Sequence, residues 1–203
     1  KKRYKALFAA LLTGALAAGC LAGCGKMDGT AGGKMKKVTL NEVAHSIFYA
    51  PQYAAIELGY FEEEGIDLTL VNGAGADKVM TAMLAGDADI GFMGSEASIY
   101  TYAQGAEDYA VNFAQLTQRA GNFLVARQPD SDFTWQKLKG SRVLGGRAGG
   151  MPQMVFEYIL KKNGIDPKAD LTMDQSIQFG LTAAAFTSDQ SDYTVEFEPF
   201  ATG

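Results

Sequence analysis

The sequence has little of the chemistry that enzymes and metal sites need. Cysteine occurs twice, at Cys20 and Cys24, and histidine occurs once, at His45. A zinc site takes three or four ligands, which one histidine does not supply. Both cysteines lie near the N-terminus, so the rest of the chain has neither a disulfide nor a thiolate metal site. The glycine patterns of P-loops and dinucleotide folds and the Gly-x-Ser-x-Gly elbow are also absent. We therefore expect no cofactor, no metal and no catalysis.

The N-terminus resembles a bacterial lipoprotein signal. Four basic residues within the first five precede an apolar stretch at residues 6–18, and Leu-Ala-Gly-Cys follows at residues 21–24. The apolar stretch is short for a membrane span. We predict a signal peptide at 1–23, lipidation at Cys24 and a flexible tether at 24–37. The protein is then extracytoplasmic and reaches the cell membrane only through its lipid anchor. An ordinary secretory signal is the alternative.

The balance of charge is acidic, with 18 basic and 23 acidic residues and a net charge of −5. Loss of the signal peptide would remove four of the 18 basic residues, leaving 14 against 23 and a net charge of −9. A chain of this sign disfavours nucleic acid as a partner. The hydrophobic share of 47% is that of a globular protein and excludes disorder throughout.

Strand-like and helix-like segments alternate from Lys37 onward. The patterns predict strands at 37–43, 67–71, 89–93, 109–114, 123–126, 142–146 and 193–197. They predict helices at 51–58, 77–85, 96–103 behind a Ser95 cap, 152–162 and 182–186. In the helix at 152–162, the apolar spacing falls on Met154, Val155, Tyr158 and Ile159. The alternation implies an α/β protein with mostly parallel sheets flanked by helices, in two lobes at 38–130 and 131–203.

Candidate ligand-binding residues follow the predicted strands, because open α/β sheets bind ligands beyond the carboxyl ends of their strands. The candidates are Glu42, His45, Ser46, Tyr49, Gly94, Ser95, Glu96, Gln115, Gly149, Gly150, Met151, Phe179, Glu196 and Glu198. The turn GGRAGGMPQM at 145–154 leads into a predicted helix, whose N-terminal N–H groups favour a hydrogen-bond acceptor. A plain structural turn is the alternative.

Four segments carry a resemblance to a known family: HSIFYAPQYAAIELGYFEEEGIDLTLV, MLAGDADIGFMGS, FLVARQPDSDFTWQKLKGSRV and DYTVEFEPF. They resemble the nitrate/sulfonate/taurine/thiamine-precursor family of ABC-importer solute-binding proteins. The resemblance implies a type II periplasmic-binding-protein fold, whose lobes close on a small molecule and deliver it to permease and ATPase subunits. Family chains continue past the Glu-Pro-Phe turn. The resemblance therefore implies that the first lobe is incomplete, because its return segment is missing. It also implies exposed apolar surface where that segment would pack.

The residue types of the predicted cleft indicate the ligand class. Its carboxylates would repel a small anion but accept hydrogen bonds from ring amines. Its aromatic residues can stack on a flat ring: Phe48, Tyr49, Phe113, Phe179 and Phe197. We expect an aromatic N-heterocycle, such as a thiamine-type pyrimidine or a flavin, rather than nitrate, a sulfonate or taurine.

Two alternatives to an importer component stay open. One is an enzyme similar to the fungal thiamine-pyrimidine synthases, which share the implied fold and rely on a cysteine-rich motif that this sequence lacks. The other is a sensor domain of the same fold.

Overall fold

The computed structural model describes residues 34–188 and 191–203. The predicted signal peptide, Cys24 and most of the tether at 24–37 lie outside the described residues. Residues Met35–Gly203 belong to one unit, which contains two β-sheets.

The first sheet is parallel and has three strands: β1 (Lys36–Glu42), β2 (Ile66–Asn72) and β3 (Ile90–Phe92). The strand order is β2-β1-β3, and Leu40 of the central strand lies opposite Leu70 and Ile90. The three strands predicted in this region are confirmed. Their shared direction brings the ends of β1 and β3 to the same edge of the sheet.

Four helices accompany the first sheet: α1 (Ala50–Glu57), α2 (Tyr60–Glu63), α3 (Ala76–Ala85) and α4 (Glu96–Ala103). Helix α1 has Pro51 in its first turn, where the missing N–H costs no helical hydrogen bond. Gly59, at φ 76°, follows it. Helix α3 buries Val79 and Met80. Helix α4 begins after Ser95, as predicted, but the Ser95 side chain makes no capping hydrogen bond. Helix α2 was not predicted.

The second sheet has four strands: β4 (Asn122–Ala126), β5 (Arg142–Leu144), β6 (Thr172–Asp174) and β7 (Tyr193–Phe197). The strand order is β4-β7-β5-β6. Strand β5 is parallel to β6 and β7, whereas β4 is antiparallel to β7. Two helices accompany this sheet: α5 (Met151–Lys162) and α6 (Thr182–Thr187). The short strand β6 was not predicted.

Helix α5 packs on the second sheet with a different face from the one predicted. Phe156 and Leu160 are buried, whereas Met154 and Tyr158 are exposed. Both pairs have the i, i+4 spacing of a helix face, so spacing alone does not choose between them. The buried residues of this core are Leu138, Val143, Phe156, Leu160, Ile165, Leu171 and Val195.

Two predictions about the region between the sheets are wrong. Residues 109–114 alternate like a strand but form none, and they pair with neither sheet. Strand β4 exists as predicted, but it belongs to the second sheet and not to the lobe expected at 38–130. Its side chains alternate in register with β7, with Leu124 opposite Val195, and this pairing gives β4 its hydrogen-bond partners.

An apolar surface lies along α4 and the unpaired segment that follows it. Val111 and Phe113 are 75% and 77% exposed, and Ile99, Tyr102 and Tyr109 are exposed beside them in the sequence. The ring centroids of Tyr102 and Tyr109 lie 5.4 Å apart, and the rings pack edge to face.

In residues 34–188 and 191–203 there is no helix with the length and hydropathy to cross a bilayer.

Candidate functional site

Two adjoining cavities lie where elements of both sheets meet. The larger has a volume of about 910 Å³, and the smaller has a volume of about 120 Å³. They share four lining residues, which come from the second sheet, helix α5 and the loops around them: Arg147, Pro152, Phe179 and Phe197. A cleft of several hundred cubic ångströms is the size that small ligands occupy.

Most of the predicted site residues line these cavities. The larger cavity is lined by Tyr49, Gly94, Ser95, Glu96, Gln115, Gly150, Met151 and Phe179. The smaller cavity is lined by His45, Ser46, Phe179, Glu196 and Glu198. Glu42 and Gly149 line neither of these two cavities.

Glu42, at the end of β1, is 1% exposed and is held by three side chains. Gln52 Nε2 and the Tyr53 hydroxyl donate to Glu42 Oε2 over 3.0 and 2.9 Å, and His45 Nδ1 lies 3.0 Å from Oε1. Tyr53 also accepts the Ser46 N–H over 3.0 Å. The network therefore fixes the loop that leads from β1 to Tyr49. The roles of Gln52 and Tyr53 were not predicted.

Glu196 in β7 is buried in a similar way. The hydroxyls of Thr194 and Thr182 donate to its two oxygens over 2.7 and 2.9 Å. Burial raises the pKa of the Glu196 carboxyl, and the two threonine hydroxyls oppose this rise. Because both oxygens already have donors, a ligand would meet a carboxylate that is largely satisfied. Neither threonine was among the predicted site residues.

Glu96, the first residue of α4, has an unsatisfied oxygen. The residue is 4% exposed and lines the larger cavity, and its buried Oε1 has no hydrogen-bond partner among the described residues. Burial raises the pKa of this carboxyl, while the backbone N–H groups of Glu96 and Met151 oppose the rise. A Cβ at Gly94 would overlap the Glu96 carboxylate, so glycine at 94 leaves the space that this side chain occupies.

The turn before α5 directs few free N–H groups at the cleft. The Gly149 N–H donates to Gln153 Oε1 over 3.0 Å, and the Gly150 N–H donates to the Arg147 carbonyl over 3.2 Å. Gly149 has φ 80°, a conformation that favours glycine, whereas Gly150 has φ −99°. The Met151 N–H interacts with the Glu96 carboxylate and opposes the rise of its pKa. The helix N-terminus therefore faces a carboxylate of the chain itself.

Arg147 is paired with Asp77, which lies at the start of α3. Arg147 Nε and Nη2 donate to Asp77 Oδ1 and Oδ2 over 2.8 and 2.7 Å, in a two-bond fork that joins the α5 turn to the start of α3. Arg147 lowers the pKa of the Asp77 carboxyl, and Asp77 raises the pKa of the guanidinium. Asp77 was not predicted as a site residue, because the two partners are 70 positions apart in the sequence.

Four of the five predicted aromatic residues meet in the cleft. Phe48 and Phe179 both pack against Phe197, with ring centroids 5.9 and 5.4 Å apart, and Phe48 lies 6.1 Å from Tyr49. Burial raises the pKa of Tyr49 to about 12, so its phenol stays neutral at physiological pH. Phe113 also lines the larger cavity but is 77% exposed.

The remaining candidates lie at the surface or in local hydrogen bonds. Ser46 accepts the Phe48 N–H over 3.2 Å, and Gln115 Nε2 donates to the Thr117 carbonyl over 3.0 Å. Glu198 is exposed and accepts the hydroxyl of Thr202. In the part of the chain that the structure describes, no three residues of the His, Cys, Asp or Glu types are close enough to hold a metal ion.

Two α/β sheets with a polar and aromatic cleft where they meet define the fold of the type II periplasmic solute-binding proteins. The alkanesulfonate-binding protein SsuA of Xanthomonas axonopodis pv. citri, solved with bound MOPS, has this fold with a TM-score of 0.55. It is 17% identical to this chain, and the match covers 83% of this chain and 56% of SsuA. Residues 46–200 match the family described as NMT1/THI5 like, and the chain belongs to that family. The resemblance seen in the sequence is confirmed.

Two curated relatives share large parts of this sequence. YtlA, a candidate binding protein of Bacillus subtilis, is 52% identical over 167 residues, which are 82% of this chain and 50% of YtlA. The 4-amino-5-hydroxymethyl-2-methylpyrimidine phosphate synthase of Schizosaccharomyces pombe is 26% identical over 138 residues, which are 68% of this chain and 37% of that enzyme. The chain thus spans half the length of the first relative and less of the second.

Proposed function

We propose that this chain is the solute-binding component of an ABC importer, anchored outside the cell membrane through a lipid on Cys24. The cleft carries this proposal, because it combines about 910 Å³ of space with polar and aromatic side chains from both sheets. The family and the fold shared with SsuA support it. The partners are then the permease and ATPase subunits, and the ligand contacts lie at the predicted site residues.

The favoured ligand is an aromatic N-heterocycle such as a thiamine-type pyrimidine or a flavin. Support comes from the aromatic residues Phe48, Tyr49, Phe179 and Phe197, which lie within ring-contact distance of one another and can open around a flat ring. Glu96, a buried carboxyl, is also among the residues that line this cavity. Nitrate and alkanesulfonates would meet this carboxylate with a charge of the same sign, as would the sulfonate group of taurine.

Uptake in cells tests the importer function directly. Vitamins, pyrimidines, flavins and sulfonates are first screened by thermal shift with the purified protein. The radiolabelled form of any stabilising compound is then supplied to cells with and without the gene. We expect deletion to reduce uptake and the reintroduced gene to restore it, whereas the Cys24→Ala gene should restore less. Equal uptake with and without the gene contradicts an importer function.

A synthase activity is the second candidate, favoured by the match to the Schizosaccharomyces pombe enzyme. The sequence has its two cysteines at positions 20 and 24 and one histidine, His45, whose side chain is 68% exposed. We propose that the chain binds its ligand without converting it. Mass spectrometry of the ligand after incubation with the protein distinguishes the two functions, since a converted product would establish an enzyme.

A further inference from the structure

Among the described elements, the chain passes from the first sheet to the second once, between α4 and β4. The connecting residues 104–121 form neither a helix nor a strand. Irregular segments of this kind absorb the changes in φ and ψ that accompany hinge motions. A single connection of this type does not fix the angle between the two sheets, so side-chain contacts between the sheets contribute to fixing it.

The fork between Arg147 and Asp77 is such a contact. It joins a turn that follows β5 of the second sheet to the first turn of α3, which accompanies the first sheet, with N–O distances of 2.8 and 2.7 Å. The side chains of Arg147 and Asp77 are 20% and 40% exposed, so water can solvate both groups when the fork breaks. The ion pair of Lys137 with Asp130, in contrast, lies within the region of the second sheet.

Each partner of the fork is positioned by its own sheet. Arg147 Nη1 also donates to the Ser176 carbonyl over 3.3 Å, in the loop that follows β6. On the other side, the Asn72 side chain at the end of β2 accepts the Ala74 N–H over 2.9 Å. Ala74 has φ 58°, a left-handed conformation that is strained for a residue other than glycine. Such strain persists where the surrounding structure maintains it, and it clusters at functional sites.

Gly75 leaves the space that the fork occupies. A Cβ at this position would lie 2.6 Å from Asp77 Oδ1 and 2.8 Å from both Cδ and Nε of Arg147. Because carbon atoms do not approach other heavy atoms this closely, a larger residue at position 75 would displace one of the two partners. Arg147 also lines both cavities, so displacement of its side chain changes a wall of each cavity.

We propose that the fork between Asp77 and Arg147 is a latch that holds the two sheets together beside the cavities and limits how often the sheets separate. The inference goes beyond the proposed function, because it concerns the conformation of the chain without a ligand and assigns no ligand class. A partly exposed ion pair suits this role, since it shifts an equilibrium between two conformations by up to about fivefold and still breaks readily.

Distances between two spin labels, measured by pulsed electron paramagnetic resonance on the ligand-free full chain, test the latch. The labels are attached at Glu62→Cys on α2 and at Lys168→Cys in the turn that follows α5, both exposed positions, after both native cysteines are replaced by serine. We expect Asp77→Asn to raise the population of longer distances by up to about fivefold. The matched control is Asp130→Asn, which breaks an ion pair within the region of the second sheet and should leave the distances unchanged.

Two further arms separate the fork from a general effect of charge. Gly75→Ala should lengthen the distances as Asp77→Asn does, because its Cβ displaces the fork, whereas Gly86→Ala should not. Both glycines have positive φ, but a Cβ at Gly86 meets no atom within 4 Å. Sodium chloride at about 1 M, where the Debye length is about 3 Å, should lengthen the distances in the wild type and have little effect on Asp77→Asn.

Equal distance distributions in the wild type and in Asp77→Asn, at equal melting temperatures, overturn the latch. A shift of the same size in Asp130→Asn, or the same salt effect in Asp77→Asn as in the wild type, also overturns it. The salt titration of the wild type needs no substitution at the fork, so it tests the latch even where Asp77→Asn fails to fold. None of these outcomes bears on the importer function, which the uptake assay decides by itself.

Discussion

Replacing Glu42 by alanine should destabilise the chain strongly, although Glu42 lines neither cavity. The carboxylate accepts hydrogen bonds from Gln52 and Tyr53 and is 1% exposed. Hydrogen bonds to a charged group are worth about 1.5–3 kcal/mol each, and relief from burying a charge offsets part of the loss of two. We expect the free energy of unfolding to fall by about 3 kcal/mol, which at this chain length lowers the melting temperature by about 6–12 °C.

Urea denaturation followed by circular dichroism measures this change. The control, Glu62→Ala, removes an exposed carboxylate and should change the free energy of unfolding by at most about 0.5 kcal/mol. Tyr53→Phe combined with Glu42→Ala should cost less than the sum of the single changes, because both act on the same hydrogen bond. A loss below about 1 kcal/mol in Glu42→Ala would refute the structural role given to this network.

Three further changes probe the anchor, the turn and the buried acid. Cys24→Ala should abolish palmitate labelling and release the protein from membranes, and persistent labelling would exclude Cys24 as the lipid site. Gly149→Ala, at φ 80°, should cost about 1–2 kcal/mol, whereas Gly150→Ala, at φ −99°, avoids this backbone strain, meets one close backbone oxygen and should cost less; equal melting temperatures would contradict this. Because the pKa of Glu96 is raised from 4.5, the folded chain binds more protons than the unfolded chain once the pH exceeds that value. The stability that the protonated Glu96 carboxyl contributes is therefore lost as the pH rises above 4.5. Glu96→Gln should therefore raise the melting temperature at pH 7 and flatten its decline between pH 4.5 and 7, and an unchanged pH profile would argue against a buried acid.

Local patterns in the sequence were sufficient to predict the strands and helices that bury one face within their own sheet. The alternation at 37–43 and the helix spacing at 77–85 both reflect burial on one face, and the structure has β1 and α3 there. The alternation at 109–114 has the same form but gives no strand. A strand also needs a neighbour for its N–H and C=O groups, and no property of the segment itself supplies one.

The sequence was sufficient to predict many residues that line the cavities, but not how those residues pair with one another. Glu96 was identified because it follows a strand at the ligand-binding edge, and it does line the larger cavity. Its contact with the Met151 N–H depends on α5, which begins 55 positions later. The pairing of Asp77 with Arg147 likewise depends on how elements of the two sheets approach each other. Such contacts depend on tertiary packing between residues that are far apart in the chain, so no local sequence pattern predicts them.

Recovery of a bound ligand tests the central claim most directly, namely that the cleft binds a small molecule and returns it unchanged. The purified protein is equilibrated by dialysis with the compound that stabilises it best, then denatured, and the released compound is quantified by mass spectrometry. We predict one equivalent per chain at the original mass, and less in Glu96→Gln at the same free concentration. A compound of altered mass, or equal retention by the wild type and a denatured control, would contradict the account.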